Sequence, residues 1–389
     1  MSVTTVGNGN KNLMCQQTSL SQFSRIFRVK FYSMKKLILA CIAILLCFPV
    51  AAQTLNQTQI IGSHNSYKSA MAPEILTYLR SMSANTANGL EYEHAPLEKQ
   101  LDMGLRNLEL DVFHDPQGGR YTQPKGIEMI KKGGNPNFTF DTENKLAIPG
   151  LKMFHVQDID FQSHYLVFAE ALQALKTWSN AHPDHHPIFI LVNAKDAPVP
   201  NTVRPLPFTA TALDSIDLEI RTHLGLEKLI IPDQVKGSFA SLEQGVLNGN
   251  WPALDQARGK FLFVLDESEE KIRTYLTKKP GLANAVFFVN LKEGNPEAGF
   301  RIINDPVKNE TYIQELVRKG YMIRTRSDSG TTEARTEDYT QFEKAKSSGA
   351  QVISTDYYLP SQLFKSSYKV SFEGNRYERA NPVLNPSKK

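Results

Sequence analysis

Cysteine is scarce in this chain and confined to its start. The three among 389 residues are Cys15, Cys41 and Cys47. From residue 53 onward neither a disulfide nor a thiolate metal site can form, so packing must hold the fold. No G-x-G-x-x-G follows the first apolar run and no phosphate loop occurs anywhere, which argues against dinucleotide and P-loop chemistry. Basic stripes with interleaved aromatics are also missing, and with them the signature of a nucleic-acid partner. Excess charge of one sign is absent too. The formal +4 arises from residues 1–52, which hold six Lys or Arg and no Asp or Glu, leaving 38 basic against 40 acidic residues beyond them.

The long apolar run Leu37 to Val50 stands between Met34-Lys35-Lys36 and Ala51-Ala52. It is short for a membrane span and has the flanks of a cleaved secretory leader. The expectation is an upstream-start extension at 1–33, a signal peptide at 34–52 and an exported chain from Gln53, secreted or periplasmic, with no integral membrane segment. Ile38-Leu39-Ala40-Cys41 resembles a lipid-attachment box, but Cys41 would fall after only four apolar residues.

With 41% hydrophobic and 22% charged residues, the remainder has an ordinary globular composition and length for one large domain over 53–389. Eight apolar runs recur from residue 60: Ile60-Ile61, Leu105 to Val112, Leu151 to Val156, Ile188 to Val192, Phe261 to Leu265, Ala285 to Leu291, Tyr321 to Thr325 and Gln351 to Ser354. Helical spacing lies between them, as in Phe168, Leu172 and Leu175, or Ile313, Leu316 and Val317 before Gly320. Eight strands alternating with helices predict an α/β fold, a single closed β/α barrel of the TIM type, with a doubly wound open sheet as the rival.

Barrel active sites lie at the C-terminal ends of the strands, and polar residues collect at the ends of these runs. His64 and Asn65 follow the first. Glu109 and Asp111 share one face of the second, because side chains alternate along a strand while Leu108, Leu110 and Val112 point the other way. Two carboxylates aimed into a core need a cation. His155 ends the third run, and Asn193 with Lys195 and Asp196, Asp266, Asn290 with Lys292, Arg324 with Arg326 and Asp328, and Asp356 end the rest. Such a set suits a divalent-metal phosphodiesterase with two acid/base imidazoles. Arg324 and Arg326 are candidate phosphate binders, since a guanidinium can grip an anion with two donors. His182, His185 and His186 invite a zinc reading, but Pro183 and Pro187 mark them as loop residues.

The segments HNSY, NLELD, FHVQDID and WSNAHPDHHPIFILVN, with the late STDYY, resemble the calcium-dependent phosphoinositide-specific phospholipase C family over most of 59–358. That resemblance implies a distorted β/α barrel acting on a phospholipid at a membrane surface. The implied reaction cleaves phosphatidylinositol to diacylglycerol and inositol phosphate through a cyclic intermediate. It also implies Ca2+ on Asn65, Glu109 and Asp111 and catalysis by His64 and His155; Lys195 is read as a substrate-binding residue beside Arg324 and Arg326. Asn193 stands where the family usually has a Glu; it can still offer calcium an oxygen but cannot act as a base. The general base stays open among Glu109 and the other carboxylates. Glycerophosphodiester phosphodiesterases, metal-free bacterial phosphoinositide phospholipases and a headgroup-binding barrel without turnover are the alternatives. Tyr357 and Tyr358 are candidates for membrane contact or, equally, for packing against the last helix.

Overall fold

The parallel strands read as near-continuous apolar runs because a parallel sheet is covered on both faces. In chain order they are β1 (Thr58–Ser63), β2 (Asn107–Asp115), β3 (Gly150–Lys152), β4 (Ile188–Ala194), β5 (Leu229–Ile230), β6 (Phe261–Leu265), β7 (Phe287–Asn290), β8 (Ala298–Ile302), β9 (Met322–Arg326), β10 (Val352–Thr355) and β11 (Glu378–Ala380). This computed structural model describes residues 1–5, 7 and 52–385; nearly all of the expected extension and leader therefore lies outside the described residues.

Eight strands close into a parallel barrel in the order β1, β2, β4, β6, β7, β8, β9, β10 and back to β1. The β1–β2 seam is a single register pair, Gly62 with Asn107. A Cβ on Gly62 would lie 1.9 Å from the Asn107 carbonyl oxygen, so only glycine allows the two backbones to approach this closely. The interstrand helices bury the stripes their spacing predicts. Phe168–Ala181 buries Phe168, Leu172, Leu175 and Trp178. Pro306–Lys319 buries Ile313, Leu316 and Val317 and ends at Gly320 with φ 101°, a left-handed stop. Among the described residues, no helix is long and apolar enough to cross a membrane.

The strand count of eight agrees with the sequence, but one member does not. The run Leu151 to Val156 is no barrel strand. Only Gly150–Lys152 is extended, pairing antiparallel with the far end of β2 at the rim. β2 instead pairs directly with β4, and the eighth barrel strand is β8, between β7 and β9, which the sequence hides because AGFRI carries Gly299 and Arg301 and follows β7 after a short turn with a register shift at Val289/Asn290.

Candidate active site

Where β1 ends, Asn65 takes a left-handed backbone, φ 47°, which asparagine tolerates better than most residues. The next residue stitches this turn to β2. The Ser66 amide donates to the Glu109 carbonyl at 2.9 Å, and the Glu109 amide donates to Ser66 Oγ at 2.8 Å. His64 and Asn65 are thereby held beside the carboxylate pair. His64 Nδ1 donates to Asp356 Oδ1 at 2.9 Å, while its Nε2 lies 3.7 Å from Glu109 Oε1. Asn65 Nδ2 donates to Tyr92 Oη at 2.7 Å, which leaves its carbonyl oxygen as the group available to a cation.

Glu109 and Asp111 occupy one face of β2, as alternation requires, and each meets a cation. Arg324 Nη2 donates to Glu109 Oε2 at 2.6 Å, and Lys195 Nζ lies 3.2 Å from Asp111 Oδ2. Asp111 and Asn193 are register partners on β2 and β4. Asn193 Nδ2 donates to the Asp266 carbonyl at 2.9 Å. Arg324 is buried, and its guanidinium also bonds Asn304 Oδ1 at 2.7 Å and Ser354 Oγ at 3.2 Å. Two residues along the same face of β9, Arg326 donates to Asp356 at 2.9 Å. Both arginines read as phosphate binders from sequence are thus engaged by carboxylates inside the barrel.

His155 lies in the rim loop beyond β3, where Nδ1 donates to Asp160 Oδ2 at 2.7 Å. Asp160 in turn lies 3.3 Å from the ammonium of Lys68, so the loop is docked onto the chain that follows His64. His155, Asn193 and Lys195 line one cavity of about 230 Å³. A second cavity, about 270 Å³, borders Asp356, Tyr92 and Tyr358. Tyr357 and Tyr358 are buried, 2% and 3% exposed. Their expected membrane contact is therefore corrected: Tyr358 Oη accepts from the Ala95 amide, and the Tyr377 hydroxyl donates to the Tyr358 carbonyl.

Burial and charge oppose each other at these groups. Burial raises the pKa of Glu109, but His64, Arg324 and their neighbours more than offset it and hold the carboxyl below its usual range. The same contest, against His64 and Arg326, keeps Asp356 well below the usual carboxylate range. Asp160 is depressed likewise, with Lys68 and His155 outweighing burial. Asp266 is pushed up to about 7 by burial and by the charge of Glu109, which together outweigh Arg324 at 4.0 Å. Asp111 holds the Lys195 ammonium above its ordinary value.

Among the described residues no three His, Cys, Asp or Glu side chains gather as a metal cluster. A cation here would rest on two carboxylates and two amide oxygens. The donor chemistry fits calcium, which takes oxygens in loose geometry, and Asp111 Oδ2 is a buried oxygen with no hydrogen-bond donor. The roles of Asp160, Asp356 and Lys68 were not apparent from sequence. An Asp stands five residues after His155 and another directly after the last barrel strand, and these were the only signals available.

Residues 53–382 match the family described as phosphoinositide phospholipase C, Ca2+-dependent. Among solved structures, the chain is similar to the calcium-dependent phosphoinositol-specific phospholipase C of a Gram-negative Pseudomonas sp., apo form, myoinositol complex. The TM-score is 0.51 at 15% identity, over 85% of this chain and 96% of that chain. A further crystal form of that apo protein gives 0.51 at 14% identity, over 84% and 95%. The Ca2+-dependent phosphatidylinositol-specific phospholipase C of Streptomyces antibioticus gives 0.49 at 18% identity, over 82% and 99%. At these identities the likeness is one of fold. A search of curated protein sequences finds no match.

Proposed function

Because the chain belongs to the Ca2+-dependent phosphoinositide phospholipase C family, whose model spans 53–382, we propose that it is an exported enzyme cleaving phosphatidylinositol-type lipids at a membrane surface. The products are diacylglycerol and an inositol phosphate, formed through a cyclic phosphodiester. Export rests on the leader read at 34–52.

One observation carries the reading: each of two partly exposed imidazoles at the barrel mouth has a carboxylate on Nδ1, at 2.9 and 2.7 Å, leaving Nε2 for the substrate. The inositol 2-hydroxyl oxygen attacks phosphorus and gives its proton to Glu109, which sits 3.7 Å from His64. The bond from phosphorus to the glyceride oxygen breaks, and His155 supplies the proton to that oxygen. His64 donates a hydrogen bond to the phosphoryl oxygen as charge builds there, a preorganised interaction that favours the transition state. Asp356 and Asp160 are positioning residues that fix the two rings. Held by Asn65, Glu109, Asp111 and Asn193, calcium would polarise the phosphoryl group and acidify the attacking hydroxyl.

The test is release of inositol phosphates from phosphatidylinositol by the purified protein, with calcium and with chelator, beside a glycerophosphoinositol control. Calcium-dependent cyclic inositol phosphate from the lipid is expected. Activity on the deacylated diester alone, releasing glycerol phosphate, would reassign the chain to a glycerophosphodiesterase. Silence on both substrates with retained calcium binding would leave a headgroup-binding barrel.

A further inference from the structure

The two cations beside the carboxylate pair are held very differently. Arg324 is 1% exposed and is anchored by Glu109, Asn304 and Ser354. Lys195 has a side chain 32% exposed, and its ammonium approaches Asp111 Oδ2 at 3.2 Å without hydrogen-bond geometry, so that this buried oxygen has no donor. The amide of Lys195 is fixed by the Val112 carbonyl at 2.8 Å, so the backbone is anchored while the four-carbon stem stays free to turn. Lys195 also lines the cavity of about 230 Å³ that contains His155 and Asn193.

Charge makes this asymmetry consequential. Glu109 and Asp111 each contact one cation, Arg324 and Lys195, with Asn193 adding no charge and burial favouring the neutral form of Asp266, 4.0 Å from Arg324. A divalent ion entering a balanced, largely buried site leaves excess positive charge there unless a resident cation withdraws. The loosely held one is Lys195, and the space open to it is the cavity of His155.

We propose that Lys195 is an exchangeable counter-cation: its ammonium pairs with Asp111 in the metal-free protein and moves to the phosphoryl group when calcium takes that carboxylate. Calcium and phosphate ester then bind cooperatively, each raising affinity for the other by the same factor. This deepens the phosphodiesterase reading and rests on it.

Calcium titration calorimetry on the purified protein, without turnover, tests the proposal. For the wild type, saturating myo-inositol 1-phosphate should tighten calcium binding several-fold. Lys195→Met, which removes the charge but keeps the apolar stem, should bind calcium about tenfold more tightly in the absence of phosphate, the scale expected of one neighbouring charge in a partly screened site. It should also lose the coupling, and Lys195→Arg should keep the calcium affinity low. Unchanged or weaker calcium binding by Lys195→Met, or coupling that survives in it, overturns the proposal. Because the wild-type coupling needs no variant, its absence is also decisive. Should the wild type show coupling yet cleave no phosphatidylinositol, the functional reading fails and the exchange stands; calcium-dependent cleavage without coupling has the opposite meaning.

Discussion

Two sets of histidines stand at opposite ends of the barrel. At the C-terminal mouth, the side chains of His64 and His155 are 21% and 18% exposed, and each has a carboxylate on Nδ1. At the N-terminal end of β4, His182 stacks on Trp178 at 4.2 Å and bonds that residue's carbonyl. His185 is buried, with Nδ1 donating to the His186 carbonyl and the Ser179 hydroxyl on Nε2. Burial pushes His185 down to about 4. The lesson concerns partners rather than density. The cluster HPDHH is the more conspicuous in sequence, yet its members cap a helix and fill a core. An imidazole with a carboxylate behind it and an open cavity in front can pass a proton; one enclosed by backbone and aromatics cannot.

The comparison breaks most visibly by removing the mouth imidazoles. His155→Ala and His64→Ala should each lower kcat by roughly 10²–10⁴-fold, the range for a positioned acid or base, with the melting temperature preserved. Retained turnover would move catalysis elsewhere. Removing only the partner sharpens the point. Asp160→Asn and Asp356→Asn should cost about 10–100-fold in kcat with KM little changed, as for groups that orient a functional histidine. They should also shift the pH profile of kcat, which a purely structural role would leave in place.

At the other end, His185→Ala should cost about 1–3 kcal/mol in denaturant unfolding, because it removes a buried ring and strands the His186 carbonyl that the ring bonds. Its kcat per folded molecule should be unchanged; a collapse of turnover would erase the contrast between the two ends. A further effect is on acid stability. Burial lowers His185, and also His94, which lies at the mouth 3.9 Å from Asp356, from 6.5 to about 4. Between those values the unfolded chain binds protons that the folded chain refuses, so stability present at neutral pH is lost as pH falls from about 6.5 toward 4. Each group contributes on the order of 2–3 kcal/mol to that slope. Unfolding measured at pH 7 and 4.5 should show the loss, and His94→Phe should flatten it.

Much of this architecture was legible along the chain. β6 stands out because burial on both faces makes it wholly apolar, and β4 because it is apolar as far as Asn193. Glu109 and Asp111 stand out because period-2 alternation puts two acids on one face of an otherwise apolar strand. β8 was not legible, since its half-polar AGFRI looks like a loop and only its register with β7 and β9 makes it a strand. The run ending at His155 misled for the opposite reason: it is apolar yet packs at the rim. Nor did the chain reveal that Gly62 is the point where the barrel closes.

The sequence by itself determined the barrel class and the strand ends at which chemistry-bearing side chains would collect, because periodicity and burial are local properties of a chain. Only the tertiary structure decided who neutralises whom. His64 meets Asp356 across 292 positions, and Arg324 meets Glu109 across 215. Those pairings, with the looser one between Lys195 and Asp111, set the protonation and charge of the site. They follow from barrel closure, which brings β1 beside β10 and turns the inner faces of β2 and β9 toward each other, a condition no local pattern encodes.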